Sequence, residues 1–117
     1  MAGKDILGRS GEQLAAGFLE KHGYRIVERN WRGTRGELDI IAESGDTTVF
    51  VEVKTRSGSR FGHPFEALTP KKIGALRRLA AEWCASHDVR RSIRLDAIAV
   101  MGGLDAPARI EHLRGIG

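Results

Sequence analysis

Two neighbouring runs of strand-forming residues carry charged side chains where a buried strand should be apolar. The runs are Glu37 to Glu43 and Thr47 to Arg56, which together are rich in Ile, Val, Phe and Thr. The short segment between them, with Gly45 at its centre, predicts an antiparallel hairpin. A chain built around this hairpin must place its charges on one side of a sheet, which constrains both the fold and the site.

Strand alternation assigns each hairpin side chain to a face, because successive residues point to opposite sides. In the second run Glu52 and Lys54 therefore share a face, flanked by bulky apolar residues. In the first run the alternation predicts Leu38, Ile40 and Ala42 on one face and Glu37, Asp39 and Ile41 on the other.

The loop length decides whether the charges of the two strands meet. A loop of two or four residues centred on Ser44-Gly45 would set Asp39 opposite Phe50 and diagonal to Glu52. A shift of two would set Asp39 opposite Glu52 itself, and a three-residue loop would separate the two carboxylates. The first two registers both predict a shared acidic face.

Two carboxylates beside one ammonium form a strained group in a partly desolvated site, and a divalent cation would relieve their repulsion. Magnesium prefers oxygen ligands, so Asp39, Glu52 and a carbonyl such as that of Val53 would suit Mg²⁺ or Mn²⁺. Lys54 could then orient a water or stabilise charge on phosphorus. This pattern indicates metal-assisted phosphodiester hydrolysis. The alternative, a solvated hairpin in which Glu52 and Lys54 merely pair with Asp39 or Arg56, stays open.

The remaining residues predict an α/β domain. Ser10 and Gln13 match a capping box, which predicts a first helix from Ser10 to Gly23. Its Glu12 lies at the margin of the face that packs on the sheet, where it could reach a metal, although the helix dipole alone would favour an acid there. Further elements are predicted as a strand Tyr24 to Trp31, a loop Ser57 to Phe65, a helix from Thr69-Pro70 to about His87, a strand Ile93 to Met101 and a short strand Arg109 to Leu113.

The order is helix, three strands, helix and one or two strands, which predicts a single domain over residues 1–117 with helices on a mixed sheet. The formal net charge of +4 favours a polyanionic partner such as DNA. No base-reading motif is present, which predicts contacts to the phosphate backbone without sequence specificity. The candidate nucleic-acid-binding residues, chosen beside the acidic site and on the second helix, are Arg32, Arg35, Arg56, Arg60, Lys71 and Lys72.

Other signals favour an ordinary structural role. The single cysteine excludes an intrachain disulfide and fits the reducing cytoplasm, and no apolar run is long enough to span a bilayer. Cys84 and His87 have metal-like spacing, but one helical turn beside Trp83 is more typical of core packing than of zinc. Asp96 could be a further site acid, and we expect it instead to be a hydrogen-bonded structural aspartate.

Several short motifs together resemble a known family. They are Gly11-Glu12, Gly36-Glu37-Leu38-Asp39-Ile40-Ile41, Val49-Phe50-Val51-Glu52-Val53-Lys54-Thr55-Arg56, Phe61-Gly62 with Glu66-Ala67, and Arg94-Leu95-Asp96.

These motifs resemble the YraN family, bacterial proteins similar to the PD-(D/E)xK nucleases, among them Holliday-junction resolvases and restriction enzymes. The resemblance implies a restriction-endonuclease-like three-layer fold, with Asp39 and Glu52 as metal ligands, Lys54 as the catalytic lysine and Glu12 as a helix-borne acid. Leu38 stands where the superfamily motif has proline. The implied activity is that of a Mg²⁺- or Mn²⁺-dependent DNA endonuclease, with branched or flapped DNA as candidate substrates. A non-catalytic DNA-binding or adaptor protein is the alternative, and a homodimer stays open.

Overall fold

A five-stranded mixed sheet forms the centre of the chain, with strands in the order β1-β2-β3-β4-β5. The computed structural model describes residues 3–56, 62–102 and 107–117. The elements are α1 (Gly3–Lys21), β1 (Arg25–Arg32), β2 (Glu37–Ser44), β3 (Thr47–Arg56), a 3₁₀ turn (Pro64–Ala67), α2 (Pro70–Ser86), β4 (Ser92–Met101) and β5 (Arg109–Leu113).

Strand directions make the sheet mixed, as predicted. Neighbouring strands are antiparallel except β3 and β4, which run parallel and pair from Thr47 with Ser92 to Arg56 with Met101. A parallel pair needs a crossover, and α2 lies within it. The short last strand of the prediction is β5, so the order α-β-β-β-α-β-β confirms the predicted fold class.

The two helices cover opposite faces of the sheet and give three layers. On one face Ala15 and Leu19 of α1 pack in a cluster with Ile40 and Val51. On the other face Leu76, Ala80 and Trp83 of α2 pack with the inward side chains of β2, β3 and β4, which are Leu38, Ile41, Phe50 and Leu95. Burial of apolar side chains on both faces is the main stabilising contribution to such a layered domain.

The first helix begins earlier than predicted. α1 starts at Gly3, so Ser10 lies inside it and the predicted capping box at Ser10 is wrong. A serine inside a helix meets backbone N–H groups that already bond to the preceding turn, so it has no free N–H to cap. The predicted stop is confirmed: Gly23 takes a φ of 88° just after the helix.

The hairpin between β2 and β3 uses the shifted register. Ser44 pairs with Thr47 across a two-residue turn of Gly45 and Asp46, and the ladder continues to Ile40 opposite Val51. The paired ladder ends there, and the residues that follow in this register are Asp39 on β2 and Glu52 on β3. The register that would face Asp39 with Phe50 is therefore wrong, because the turn is centred one residue later, where Gly45 takes a φ of 58°.

The alternation predicted for the first hairpin strand fails at Leu38. Leu38 packs on the α2 side of the sheet, whereas Ile40 packs on the α1 side. In the neighbouring strand Asn30, between the residues that pair with Ile40 and Leu38, has a φ of 54°. The change of face in β2 therefore lies beside a residue of β1 whose left-handed backbone departs from the regular pleat.

The second helix matches its prediction closely. Thr69 caps α2 by accepting a hydrogen bond from the backbone N–H of Lys72 at 3.2 Å, and Pro70 opens the helix. Of the predicted loop Ser57 to Phe65, residues 57–61 lie outside the described part, and a 3₁₀ turn begins at Pro64. In the described ranges, no helix is long and apolar enough to cross a membrane.

Candidate active site

Asp39 and Glu52 lie side by side on β2 and β3, at the end of the hairpin away from its turn. The backbone N–H of Val53 donates a hydrogen bond to Asp39 Oδ2 at 2.8 Å. This bond fixes the Asp39 carboxylate next to the Glu52 strand position. The predicted convergence of the two carboxylates is therefore present.

Glu52 is buried, with 4% of its surface exposed, and it carries two ion pairs. Lys54 Nζ and Lys72 Nζ each lie 3.2 Å from the same oxygen, Glu52 Oε2. Lys54 comes from β3 itself, two residues along on the same face, as predicted. Lys72 comes from the first turn of α2, and its contact with Glu52 adds a residue that the strand pattern alone does not reveal.

The surroundings of Asp39 disfavour its charged form. Burial, and then the neighbouring Glu52 carboxylate, raise the pKa of Asp39 to about 7, although the Val53 N–H opposes the rise. Glu12 adds further repulsion. Such a perturbed acid beside a second acid and a lysine is typical of functional sites.

Glu12 stands at the border of this acidic group. The side-chain nitrogen of Asn30 is 2.8 Å from Glu12 Oε1 and 3.3 Å from Glu37 Oε1 in the orientation that satisfies both carboxylates. Burial raises the pKa of Glu12, with Arg29 opposing and Glu37 and Glu52 adding to the rise. Asn30 thus links Glu12 to the start of β2, a role that no sequence signal indicated.

Gly11 explains how α1 brings Glu12 so close to the sheet. A Cβ atom at position 11 would overlap the hydroxyl of Thr55 on β3. Only glycine allows the helix to lie against the strand there, directly after Lys54. The Gly11-Glu12 pair in the sequence was the available signal for this close approach.

The donor atoms fit a hard divalent cation in kind. Mg²⁺ is usually held by one or two carboxylates, with waters and substrate phosphates completing its shell. Asp39 and Glu52 supply such a pair of carboxylates. Among the residues that the structure describes, no group of three His, Cys, Asp or Glu side chains is arranged to hold a metal. Glu12 as a third ligand therefore stays a prediction.

The candidate nucleic-acid-binding cations differ in their surroundings. Lys71 is exposed on α2, and Arg56 donates to the Thr55 carbonyl oxygen at 2.9 Å. Exposed Arg32 pairs with Glu37 at 3.3 Å, and Arg35 lines a shallow cleft beside α2. Arg60 lies outside the described residues.

Asp96 is the structural residue that the sequence led us to expect. It is fully buried and accepts hydrogen bonds from Arg94 Nε and Nη2 at 2.8 Å, from His112 Nε2 at 2.8 Å and from the Gly115 N–H at 3.0 Å. Burial raises its pKa, but these donors outweigh burial and lower the pKa of Asp96 to about 2.

Cys84 and His87 pack as expected from their position on one helical turn. Cys84 packs against the α2-side cluster, and burial raises the pKa of its thiol. The His87 ring stacks on Trp83 with ring centres 4.2 Å apart, and His87 Nδ1 lies 2.8 Å from the Trp83 carbonyl oxygen. These contacts support packing rather than zinc binding.

The fold and the site together define a three-layer α/β domain that carries a paired-carboxylate site with two lysines at one end of a mixed sheet. The family model described as Uncharacterised protein family UPF0102 matches residues 11–100. The chain belongs to this family, which confirms the resemblance to the YraN proteins.

Relatives in the same family match over their full lengths. A UPF0102 protein of Arthrobacter sp. (strain FB24) is 52% identical over 100% of both chains. The one from Beutenbergia cavernae is 53% identical over 100% of both chains, and the one from Leifsonia xyli subsp. xyli is 54% identical over 99% of both.

Proposed function

We propose that this protein is a metal-dependent endonuclease that hydrolyses phosphodiester bonds in DNA, with Mg²⁺ or Mn²⁺ as cofactor. The observation that carries the proposal is the convergence of Asp39 and Glu52 at one end of the β2–β3 hairpin. The Val53 N–H holds the Asp39 carboxylate at 2.8 Å, next to Glu52, and the Lys54 ammonium lies 3.2 Å from Glu52. Mutually repelling carboxylates in a partly desolvated position are costly for a fold unless the site uses them.

Each residue of the site has a role in this proposal. Asp39 and Glu52 hold the cation, and the Val53 N–H keeps Asp39 in place. The bound cation would supply Lewis-acid activation of a water and of a phosphate oxygen. Lys54 orients the attacking water and stabilises the charge that develops on the phosphoryl oxygens. Glu12 receives or relays a proton at the margin of the site.

The cations around the site favour a nucleic-acid backbone as the substrate. Lys71, Lys72 and Arg56 lie on the elements that carry or border Glu52, where the phosphates of a bound strand would pass. Binding of this kind is insensitive to base sequence and weakens steeply with salt, because each neutralised phosphate releases counterions. Branched or flapped DNA is the proposed preferred form, and a DNA substrate would place the protein in the cytoplasm.

The test is a cleavage assay with the purified protein. Supercoiled, linear, single-stranded and branched DNA are each incubated with chelator, Mg²⁺ or Mn²⁺. We expect metal-dependent cleavage by the wild type and by Glu20→Ala, a matched change on the exposed face of α1. Glu52→Ala should not cut. Cleavage by Glu52→Ala would assign the activity to a contaminant and contradict the proposal.

A non-catalytic DNA-binding or adaptor protein is the second candidate, and one observation favours it. Lys54 and Lys72 together already neutralise Glu52, so this carboxylate is paired without a cation. In this case the protein would bind branched DNA with the same salt dependence, and neither the metal nor Glu52→Ala would change the products.

A further inference from the structure

Lys72 reaches Glu52 from a helix start, where a lysine is not favoured. It is the third residue of α2, and the first turn of this helix contains no acidic residue. The helix dipole disfavours cations at this end and favours anions, phosphate among them. The ion pair of Lys72 with Glu52 at 3.2 Å offsets this unfavourable position for its side chain.

The two lysines on Glu52 are not equivalent. The Lys54 side chain is 26% exposed and projects from the same strand as Glu52, whereas the Lys72 side chain is 44% exposed. The backbone of Lys72 is fixed by the Thr69 cap, so only its side chain is free to change partner. Lys54 alone keeps Glu52 paired if Lys72 leaves.

The ion pairs show when Lys72 would leave. Without a cation, both ammonium groups pair with the one carboxylate of Glu52. A divalent cation held by Asp39 and Glu52 would bring two further positive charges to Glu52 and its neighbour, and two ammonium groups beside that cation in a partly buried site are unfavourable. The more exposed ammonium then lowers the free energy most by moving to a new anion.

We propose that Lys72 is a placeholder, which pairs with Glu52 in the free protein and transfers to a backbone phosphate of DNA when Glu52 exchanges this pair for a divalent cation. The inference rests on the proposed function and adds a step of charge exchange to it. It makes Lys72 a residue that couples metal binding to DNA binding.

The first experiment measures Mn²⁺ affinity by calorimetry without DNA. Lys72→Met keeps the length of the side chain and removes its charge, so Glu52 no longer has a competing partner there. We expect the Kd for Mn²⁺ to fall about five- to tenfold, the effect of one close but partly screened charge. Lys71→Met removes the neighbouring charge, which has no pair with Glu52, and should change this Kd by less than about twofold.

The second experiment measures binding of a short duplex at saturating Mn²⁺, in a Lys54→Met background that is expected not to cut. Adding Lys72→Met should weaken binding and reduce the slope of log affinity against log salt by about 1, the loss of one phosphate contact.

The sign of the Mn²⁺ effect separates the outcomes. Tighter Mn²⁺ binding with a smaller salt slope supports the placeholder, since a merely structural lysine would weaken the site when removed. An unchanged or higher Kd in Lys72→Met overturns the placeholder and leaves the nuclease proposal intact if Glu52→Gln abolishes Mn²⁺ binding. Absence of Mn²⁺ binding in the wild type and in Lys72→Met alike overturns both.

Discussion

Two aspartates on the same sheet, on strands separated by β3, have pKa values shifted in opposite directions. Asp96 on β4 is fully buried, yet its pKa is lowered to about 2, whereas half-buried Asp39 on β2 has a pKa raised to about 7. The difference lies in the partners. Asp96 accepts bonds from a guanidinium, an imidazole and a backbone N–H, while Asp39 has one backbone N–H and two carboxylates nearby.

This comparison shows that burial alone does not identify a functional acid. Several donors surround Asp96, and through its hydrogen bonds to His112 and Gly115 it links β5 and the residues after β5 to β4. It leaves Asp39 with a deficit of positive charge that a ligand could supply. The donors that surround a carboxylate therefore separate a structural aspartate from a candidate ligand better than its exposure does.

The largest effect is expected from a change of Asp96, the aspartate whose hydrogen-bond partners are all donors. Asp96→Asn removes the negative charge beside Arg94 and replaces one of the two acceptor oxygens by an amide nitrogen, which then faces donors that had bonded to that oxygen. We expect the free energy of unfolding at pH 7 to fall by about 3–5 kcal/mol, as for removal of one partner of a buried ion pair. Urea unfolding measures it, and a loss below about 1 kcal/mol would contradict the assigned role.

A divalent metal ion should stabilise the folded protein through the other aspartate, Asp39. If Asp39 and Glu52 hold Mn²⁺ in the folded state alone, the free energy of unfolding should rise by about 2.7 kcal/mol at a concentration one hundred times Kd. Melting curves with chelator and with Mn²⁺ give the shift, and Asp39→Asn should lose it. A wild type whose Tm ignores the metal would favour the non-catalytic candidate.

Arg94→Lys tests whether the paired hydrogen bonds of the guanidinium to Asp96 matter, because it removes the guanidinium and keeps the positive charge. A lysine cannot reproduce the two bonds to Asp96 or the bond that Arg94 Nη2 donates to Tyr24 Oη at 2.8 Å. We expect a loss of about 2 kcal/mol in unfolding free energy, the value of a charge-assisted hydrogen bond. An equally stable variant would show that charge alone holds Asp96.

Asp39→Asn should have the smallest effect and the opposite sign. The folded-state pKa of Asp39 lies above its unfolded value of 3.8, so the folded protein binds more protons between about pH 4 and pH 7. Stability therefore falls as the pH rises through this window and stays low above it. Without metal, the variant should be about 1 kcal/mol more stable than the wild type near pH 8.5 and equal to it at pH 4 or below.

Asp39→Asn is a conservative change, because the asparagine oxygen can still accept the hydrogen bond from the Val53 N–H and only the charge is removed. A variant that is less stable than the wild type at every pH would mean that Asp39 is bound by structural partners. The same titration of Asp96 has the opposite slope: its contribution is present above about pH 4 and is lost as the pH falls towards 2.

Sequence reasoning reached the Asp39–Glu52–Lys54 group because strand alternation is local and the flanking residues are strongly apolar. It could not choose between the two hairpin registers, since the position of Gly45 in the turn decides them. It assigned Lys72 to DNA binding and missed its contact with Glu52, which depends on how α2 crosses back over the sheet. Asn30 was also missed, because a left-handed residue inside a strand leaves no periodic signal.

The parallel pairing of β3 with β4 has a consequence for the order of folding. β2 and β3 are joined by a two-residue turn, so their contacts form with little loss of chain entropy. β4 joins β3 only after the chain has closed a loop of about 45 residues that contains α2. We therefore expect closure onto β4 to limit the folding rate. Asp39 and Glu52 would then meet early, and a chain still emerging from the ribosome would carry this acidic pair before Lys72 arrives to neutralise it.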